Sequence, residues 1–293
     1  MTDGFPRSVR DLATWAVSNG IPIEEARRRF AQYVVLCGIA GIRPLRRSLV
    51  FKGGNALDFI WQPNRSTIDL DFSLDMVEGV FSAGIDTIRT LMDRACTRAG
   101  RRFGIALAVH SVRQQPPGDD KTFITYTSRI GYALADETRL LVRMANNQSS
   151  PHVIPVEISI NEPICGSTLV TIDERSNPLR VSTTEDIVAE KLRALLQQPI
   201  RRRTRPQDLL DIAVIVRGNP GLNRDLVGTY LTVKAAARDV PLSRDAFRHQ
   251  DVLARAAVGY DELAATTRSI FIPFDEALAT LRDFVDDLPI LDE

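Results

Sequence analysis

The chain has 293 residues, of which 44% are hydrophobic and 25% charged, and its 37 basic residues balance 37 acidic ones. This composition excludes a disordered chain and a polycation, and no apolar run approaches the ~20 residues of a membrane-spanning helix. The N-terminal MTDGFPRSVRDLATWAV has no basic-then-apolar signal pattern. Cys37, Cys96 and Cys165 are widely spaced and odd in number, so they read as reduced cysteines rather than a disulfide framework or a zinc site. A cytoplasmic protein without a membrane partner is expected.

In chain order, periodicity predicts helices over residues 7–19 and 23–40, the second carrying Ile23, Ala26, Phe30, Tyr33, Val34 and Cys37 at helical spacing. Leu49-Val50-Phe51 reads as a short buried strand ending at Lys52-Gly53-Gly54. Residues 55–61 read as a short helix stopped by Pro63-Asn64. Alternation makes residues 68–73 a strand, residues 83–99 follow as a helix, and strands are expected near 104–112, 122–133, 138–144 and 153–160. Beyond Pro163 the pattern turns helical, near 183–198, 206–217, 223–237, 244–256 and 274–286. The expected class is α+β, with a mixed α/β half over residues 1–165, a mostly helical half over 166–293, and a cleft between them.

Several residue groups carry possible chemistry. Gly53-Gly54, between a strand and a helix, would let the chain turn sharply and let an anion approach the main chain; most such pairs are simply turns. In Asp69-Leu70-Asp71 the strand period turns Ile68, Leu70 and Phe72 to a core and Asp69, Asp71 and Ser73 to the other face. The two carboxylates would then lie roughly 7 Å apart, as a polar edge or as a pair sharing a cation. Glu157 interrupts the apolar alternation of Ile154, Val156, Ile158 and Ile160, and would complete a three-carboxylate cluster if its strand lay beside residues 68–73.

Ser182-Thr183-Thr184-Glu185 has the form of a capping box at the start of a helix. Lys191 falls in that helix's apolar stripe of Ile187, Val188, Ala194 and Leu195, while Glu190, Arg193 and Gln197 take the polar side. A lysine there either snorkels or needs a partner. Asp208 suits a first helical turn behind Pro206, whereas Asp211 sits deeper in an apolar helix and would pair with Lys191, with an arginine, or with a nucleotide. Lysine is rare, at Lys52, Lys121, Lys191 and Lys234 only. The arginine pairs 46–47, 101–102 and 202–203 are ordinarily solvated surface, or local phosphate contacts. His110, His152 and His249 form no motif.

KGG, a polar loop, DLDF, a strand glutamate, AEKLRAL and R-x-x-DLLD occur in that order across residues 51–212. The series resembles the AbiEii/AbiGii-type nucleotidyltransferase toxins, a branch of the polymerase β-like superfamily that includes the MenA-type toxins. The resemblance implies a nucleotidyltransferase-like mixed sheet flanked by helices. Gly53 and Gly54 would bind the triphosphate, Asp69 and Asp71 would hold Mg²⁺ or Mn²⁺ with Glu157, Lys191 would contact the nucleotide phosphates, and Asp211 would match an essential acid beside the nucleotide-binding Asp208. Lys191 and Asp211 would reach the cleft from the C-terminal half.

The resemblance also implies transfer of NMP from an NTP to RNA, the tRNA 3′ acceptor end foremost, in a toxin–antitoxin or phage-defence pair with a cognate antitoxin. Transfer onto a protein hydroxyl and a non-catalytic nucleotide-binding or antitoxin-docking module are the alternatives. The acids and the lysine a degenerate member would have lost are all present, which favours an enzyme. Asn55 departs from the family's frequent Ser or Thr, and Leu210 from its common Tyr.

Overall fold

The computed structural model describes residues 5–65, 67–76, 84–118 and 121–290. Its helices are α1 (Leu12–Asn19), α2 (Ile23–Gly41), α3 (Arg43–Ser48), α4 (Gly53–Ala56), α5 (Ile85–Phe103), α6 (Thr138–Ala145), α7 (Thr184–Arg201), α8 (Pro206–Gly218), α9 (Arg224–Ala236), α10 (Gln250–Ala257) and α11 (Phe274–Asp286). Its strands are β1 (Leu49–Lys52), β2 (Leu70–Leu74), β3 (Ile105–Gln115), β4 (Thr125–Leu134), β5 (Val153–Ser159), β6 (Ser167–Val170) and β7 (Leu179–Ser182). They form one mixed sheet in the order β3-β4-β5-β2-β1-β7-β6. β2 runs parallel to β5 and antiparallel to β1, and β1 runs parallel to β7. The class is α+β, as the alternation of periods implies.

Two compact units divide the chain. The first comprises Met1–Ile60, Thr67–Glu162 and Thr168–Val181, and the second Trp61–Ser66, Pro163–Ser167 and Ser182–Glu293. In the first unit, register lines up Phe51, Phe72, Ile158 and Tyr126 across four strands on one sheet face, and all four are buried. A chain of aromatic contacts leads from that face to the helices: Phe72 to Phe51 at 5.2 Å between ring centroids, then Phe59, Phe5, Tyr33 and Phe103. Helix α5 packs along β3 and α2 packs along α5. The second unit is built on α7, which packs against α8, α9 and α10, with α11 on α8.

Several local expectations change. Residues 138–144 form helix α6 instead of a strand: Leu140, Leu141 and Met144 recur at three- and four-residue spacing, and the segment consists largely of strong helix formers. Strand β2 starts at Leu70, and Ile68 is 55% exposed instead of facing the core. The cap of α7 is Thr183, whose hydroxyl accepts from the Asp186 amide at 3.3 Å, so the cap sits one residue past Ser182. Arg193 is buried and not on a solvated face, held by Glu190 and by Gln197 Oε1 at 2.5 Å. The expected first residue of α5, residue 83, lies outside the described residues. The short α3, β6 and β7 carry too few residues to show a period.

The crossing of α2 and α5 depends on Gly38, where an added Cβ would stand 2.9 Å from the Ala95 carbonyl oxygen and 3.2 Å from the Ala99 Cβ. Both neighbours belong to a buried helix face that cannot yield cheaply. Gly38→Ala is therefore expected to destabilise the first unit by about 1–3 kcal/mol, read as a lowered urea midpoint by circular dichroism.

Candidate active site

The sheet face opposite the aromatic core carries the polar residues. Cross-strand register places Lys52 of β1 beside Asp71 of β2, and Asp71 beside Glu157 of β5. The strand adjacency that a three-carboxylate cluster requires is therefore present. Asp69 immediately precedes β2, and ligand oxygens of Asp69, Asp71 and Glu157 all lie within 4.8 Å of one another. Each of the three is half-buried. Burial pushes the Glu157 carboxyl above its ordinary range, and the charge of Asp69 adds to this while Lys52 opposes it. Three hard oxygen donors at this separation, repelling one another, fit a divalent cation such as Mg²⁺ or Mn²⁺.

Gly53 follows Lys52 with φ +74°, and a Cβ built on it would stand 2.3 Å from Asp71 Oδ2. Its lack of a side chain is thus what allows the strand-to-helix turn to lie against the Asp71 carboxylate. Gly54 follows in the first turn of α4. Asn55, the departure from the family's Ser or Thr, is fully buried. Its Nδ2 donates to the Thr67 carbonyl at 3.0 Å and to that of Asp69, and its Oδ1 accepts from Arg29 Nη1 at 2.7 Å. Gln32 Nε2 donates to the Thr67 and Ile68 carbonyls, both at 2.9 Å. Arg29 also pairs with Asp58 and lies over the Phe59 ring, 3.5 Å from its centroid. The main chain that delivers Asp69 is therefore tied from two sides.

Lys52 and Glu162 were not among the expected site residues. Lys52 Nζ ion-pairs with Glu162 and lies 3.3 Å from Ser159 Oγ, and Ser73 Oγ donates to Glu162 Oε2 at 2.9 Å. The scarcity of lysine was a signal for Lys52; Glu162, beyond the end of β5, leaves no sequence pattern.

The second unit holds a buried charge network. Lys191 Nζ donates to Asp208 Oδ1 at 2.9 Å and to Asp211 Oδ2 at 2.7 Å. Arg65 reaches Asp211 at 3.3 Å and Arg205 reaches Asp208 at 3.4 Å. The pairing of Asp211 with both Lys191 and an arginine matches two of the three partners its position suggested. Burial favours the neutral form of Lys191, but Asp208 and Asp211 outweigh it and hold the ammonium above its ordinary range. Burial likewise opposes the charge on Asp211, and Lys191 and Arg65 outweigh it and hold the carboxyl low. Leu210 between the two acids is fully buried, which makes it a packing position. His110, His152 and His249 stand apart from both groups.

Residues 34–280 match the family model described as nucleotidyl transferase AbiEii toxin, type IV toxin–antitoxin system. No curated protein matches the chain significantly. Among solved structures, MenT4, a nucleotidyltransferase toxin from Mycobacterium tuberculosis H37Rv, is similar over 91% of this chain and 85% of its own, at 18% identity and a TM-score of 0.56. JHP933 from Helicobacter pylori is similar over 90% of each chain, at 17% identity and a TM-score of 0.52. At these identities the two structures speak for the shared fold, and the family model carries the assignment: the chain belongs to the AbiEii family of nucleotidyltransferase toxins of type IV toxin–antitoxin systems.

Proposed function

We propose that this nucleotidyltransferase transfers NMP from an NTP to RNA, at the 3′ acceptor end of tRNA, and that a cognate antitoxin restrains it. The observation that carries the chemistry is the row Lys52–Asp71–Glu157, closed by Asp69 and roofed by Gly53. In the proposed reaction the acceptor hydroxyl attacks the α-phosphorus, and the bond to the bridging oxygen breaks to release pyrophosphate. Asp69, Asp71 and Glu157 would hold Mg²⁺ or Mn²⁺, which when bound supplies charge neutralisation at the phosphates and acidity at the attacking hydroxyl. Gly53 and Gly54 would let the main chain come against the triphosphate. Lys52, positioned by Glu162 and Ser159, adds positive charge beside the acids. Lys191 would meet the nucleotide phosphates, with Asp208 and Asp211 setting its direction. Such catalysis consists of positioning and electrostatic stabilisation. Among the described residues no helix is long and apolar enough to cross a membrane.

The direct experiment incubates the protein with each of the four NTPs, Mg²⁺ and total tRNA, followed by 3′-end sequencing. Added nucleotides at tRNA ends are expected; label on proteins and none on RNA would overturn the acceptor. Asp71→Asn and Glu157→Gln should each lower transfer on the order of 10²–10³-fold, the magnitude of losing one electrostatic contact to the transition state, with circular dichroism unchanged. Gly53→Ala should lose transfer comparably, because its methyl group would displace the Asp71 carboxylate; transfer within twofold of wild type would remove the glycine from the site.

Lys191 has a structural role as well as the proposed nucleotide contact, and the two separate by measurement. Lys191→Met leaves two buried aspartates without their shared ammonium and should destabilise the second unit by about 3–5 kcal/mol. The folded Asp211 carboxyl titrates below its unfolded value of about 3.9. Its contribution is therefore full above that pH and lost as pH falls through the folded value. Thermal unfolding between pH 6 and 3 should show this loss in wild type and less of it in Asp211→Asn. NTP affinity by calorimetry at neutral pH then reads the nucleotide contact alone.

A further inference from the structure

The polar row does not stop at the carboxylates. Glu157 is in register with Thr127 of β4, and Thr127 with Arg113 of β3, the outermost strand. On the same face, Arg129 of β4 is in register with Ser111, and Thr125 with Gln115. The buried alternates Tyr126, Ser128 and Ile130 belong to the opposite, helix-covered face. Arg113 and Arg129 are exposed, and Thr125, Thr127 and Ser111 are half-exposed. Neither arginine makes an ion pair among the described residues.

Charge on these strands is one-sided. IALAVHSVRQQ and TYTSRIGYAL contain two arginines, a histidine and no carboxylate, although acids and bases balance over the whole chain. Asp119 and Asp120, in the connection between the two strands, lie outside the described residues. His110, beside Arg129 and accepting from the Ser150 amide at 3.3 Å, has its imidazole pushed down by burial and by that arginine.

The geometry points to the open face of β4 and β3 as the track on which the acceptor RNA lies. Arg129 and Arg113 would contact backbone phosphates, and the Thr125, Thr127 and Ser111 hydroxyls would assist them. This rests on the proposed transfer to RNA and adds the direction from which the strand arrives. Adjacent strands are about 4.8 Å apart, so Arg113 stands about 10 Å from Glu157 along the row. A strand whose terminal hydroxyl sits at the carboxylates would lay the phosphates of its last few nucleotides over these arginines. Charge complementarity and continuity with the acidic row favour a nucleic acid backbone over an acidic protein segment, which has no reason to end at a metal-binding cluster. A positive groove that tracks the backbone is the usual solution for single strands.

The test uses a fluorescein-labelled RNA hairpin with a single-stranded 3′ overhang, binding full-length wild type, Arg113→Gln/Arg129→Gln and Arg113→Lys/Arg129→Lys across a salt series. For the glutamine variant the expected results are a loss of RNA affinity of about tenfold and a salt slope smaller by about 1.4, two contacts at about 0.7 each. The KM for tRNA should rise in step while the KM for NTP stays within about twofold, and the lysine variant should recover most of the affinity. Wild-type RNA affinity in the glutamine variant overturns the track and leaves nucleotidyl transfer to RNA standing. Loss of antitoxin binding with unchanged RNA binding also overturns it and gives the face to the protein partner. Failure of wild type to modify any RNA overturns the acceptor reading and this surface together.

Discussion

The structure of the first unit depends on the parallel pairing of β2 with β5, which sets Asp71 beside Glu157. Two carboxylates in register on adjacent strands repel at the short lateral spacing of a sheet, and partial burial strengthens the repulsion. The surroundings offset it in two ways. Lys52 joins the row from β1 and favours the charged form of Glu157, and Glu162 with Ser159 holds that ammonium in place. The strain that remains is the kind a divalent cation relieves, so the site is a place of electrostatic tension built on a sheet whose other face is rigid.

That rigidity comes from the aromatic face. Phe51 and Phe72 alternate with Lys52 and Asp71 along the same two strands, so the residues that pack the core also set the direction of the residues that carry charge. Arg29 extends the control to the loop: from α2 it engages Asn55 and Asp58 and stacks on Phe59, and Asn55 passes the restraint to the Asp69 carbonyl. Asn55 therefore has a structural account in this chain. It satisfies two main-chain acceptors and one buried cation together, more than a Ser or Thr hydroxyl can reach.

Much of this was legible because it rests on period and order. Alternation turned Asp71 and Glu157 away from the core on their strands, while Asp69 joins them from just before β2, and the misplaced Lys191 and Asp211 announced a buried pair. What was not legible depends on contacts distant in sequence or on segments too short to carry a period. The pairing of β2 with β5 joins strands some 80 residues apart, which spacing alone does not encode. Glu162 acquires its part only when the end of β5 returns beside Lys52 and Ser73. Residues 138–144 misled because a short apolar run serves helix and strand alike. Ile68 misled because the chain enters β2 through a loop tied by Asn55 and Gln32, which delays the strand by two residues.

The charge network of the second unit follows a different logic from the row of the first. There the acids gather with too little positive charge, whereas Asp208 and Asp211 meet Lys191, Arg65 and Arg205, so the balance is cationic. A buried ion pair is weak evidence for stability, because well-packed apolar groups would do as well. Retention of five ionisable groups at one place, two of them in a helix otherwise as apolar as α8, is better explained if a charged ligand uses one of them. The surplus cation would suit an anion, and the two aspartates fix the Lys191 ammonium, which under the proposed reading would need no reorganisation to meet a phosphate. The first unit thus gathers acids that fit a divalent cation, and the second holds a lysine fixed between two aspartates, the group to which the proposed reading assigns the nucleotide's phosphates.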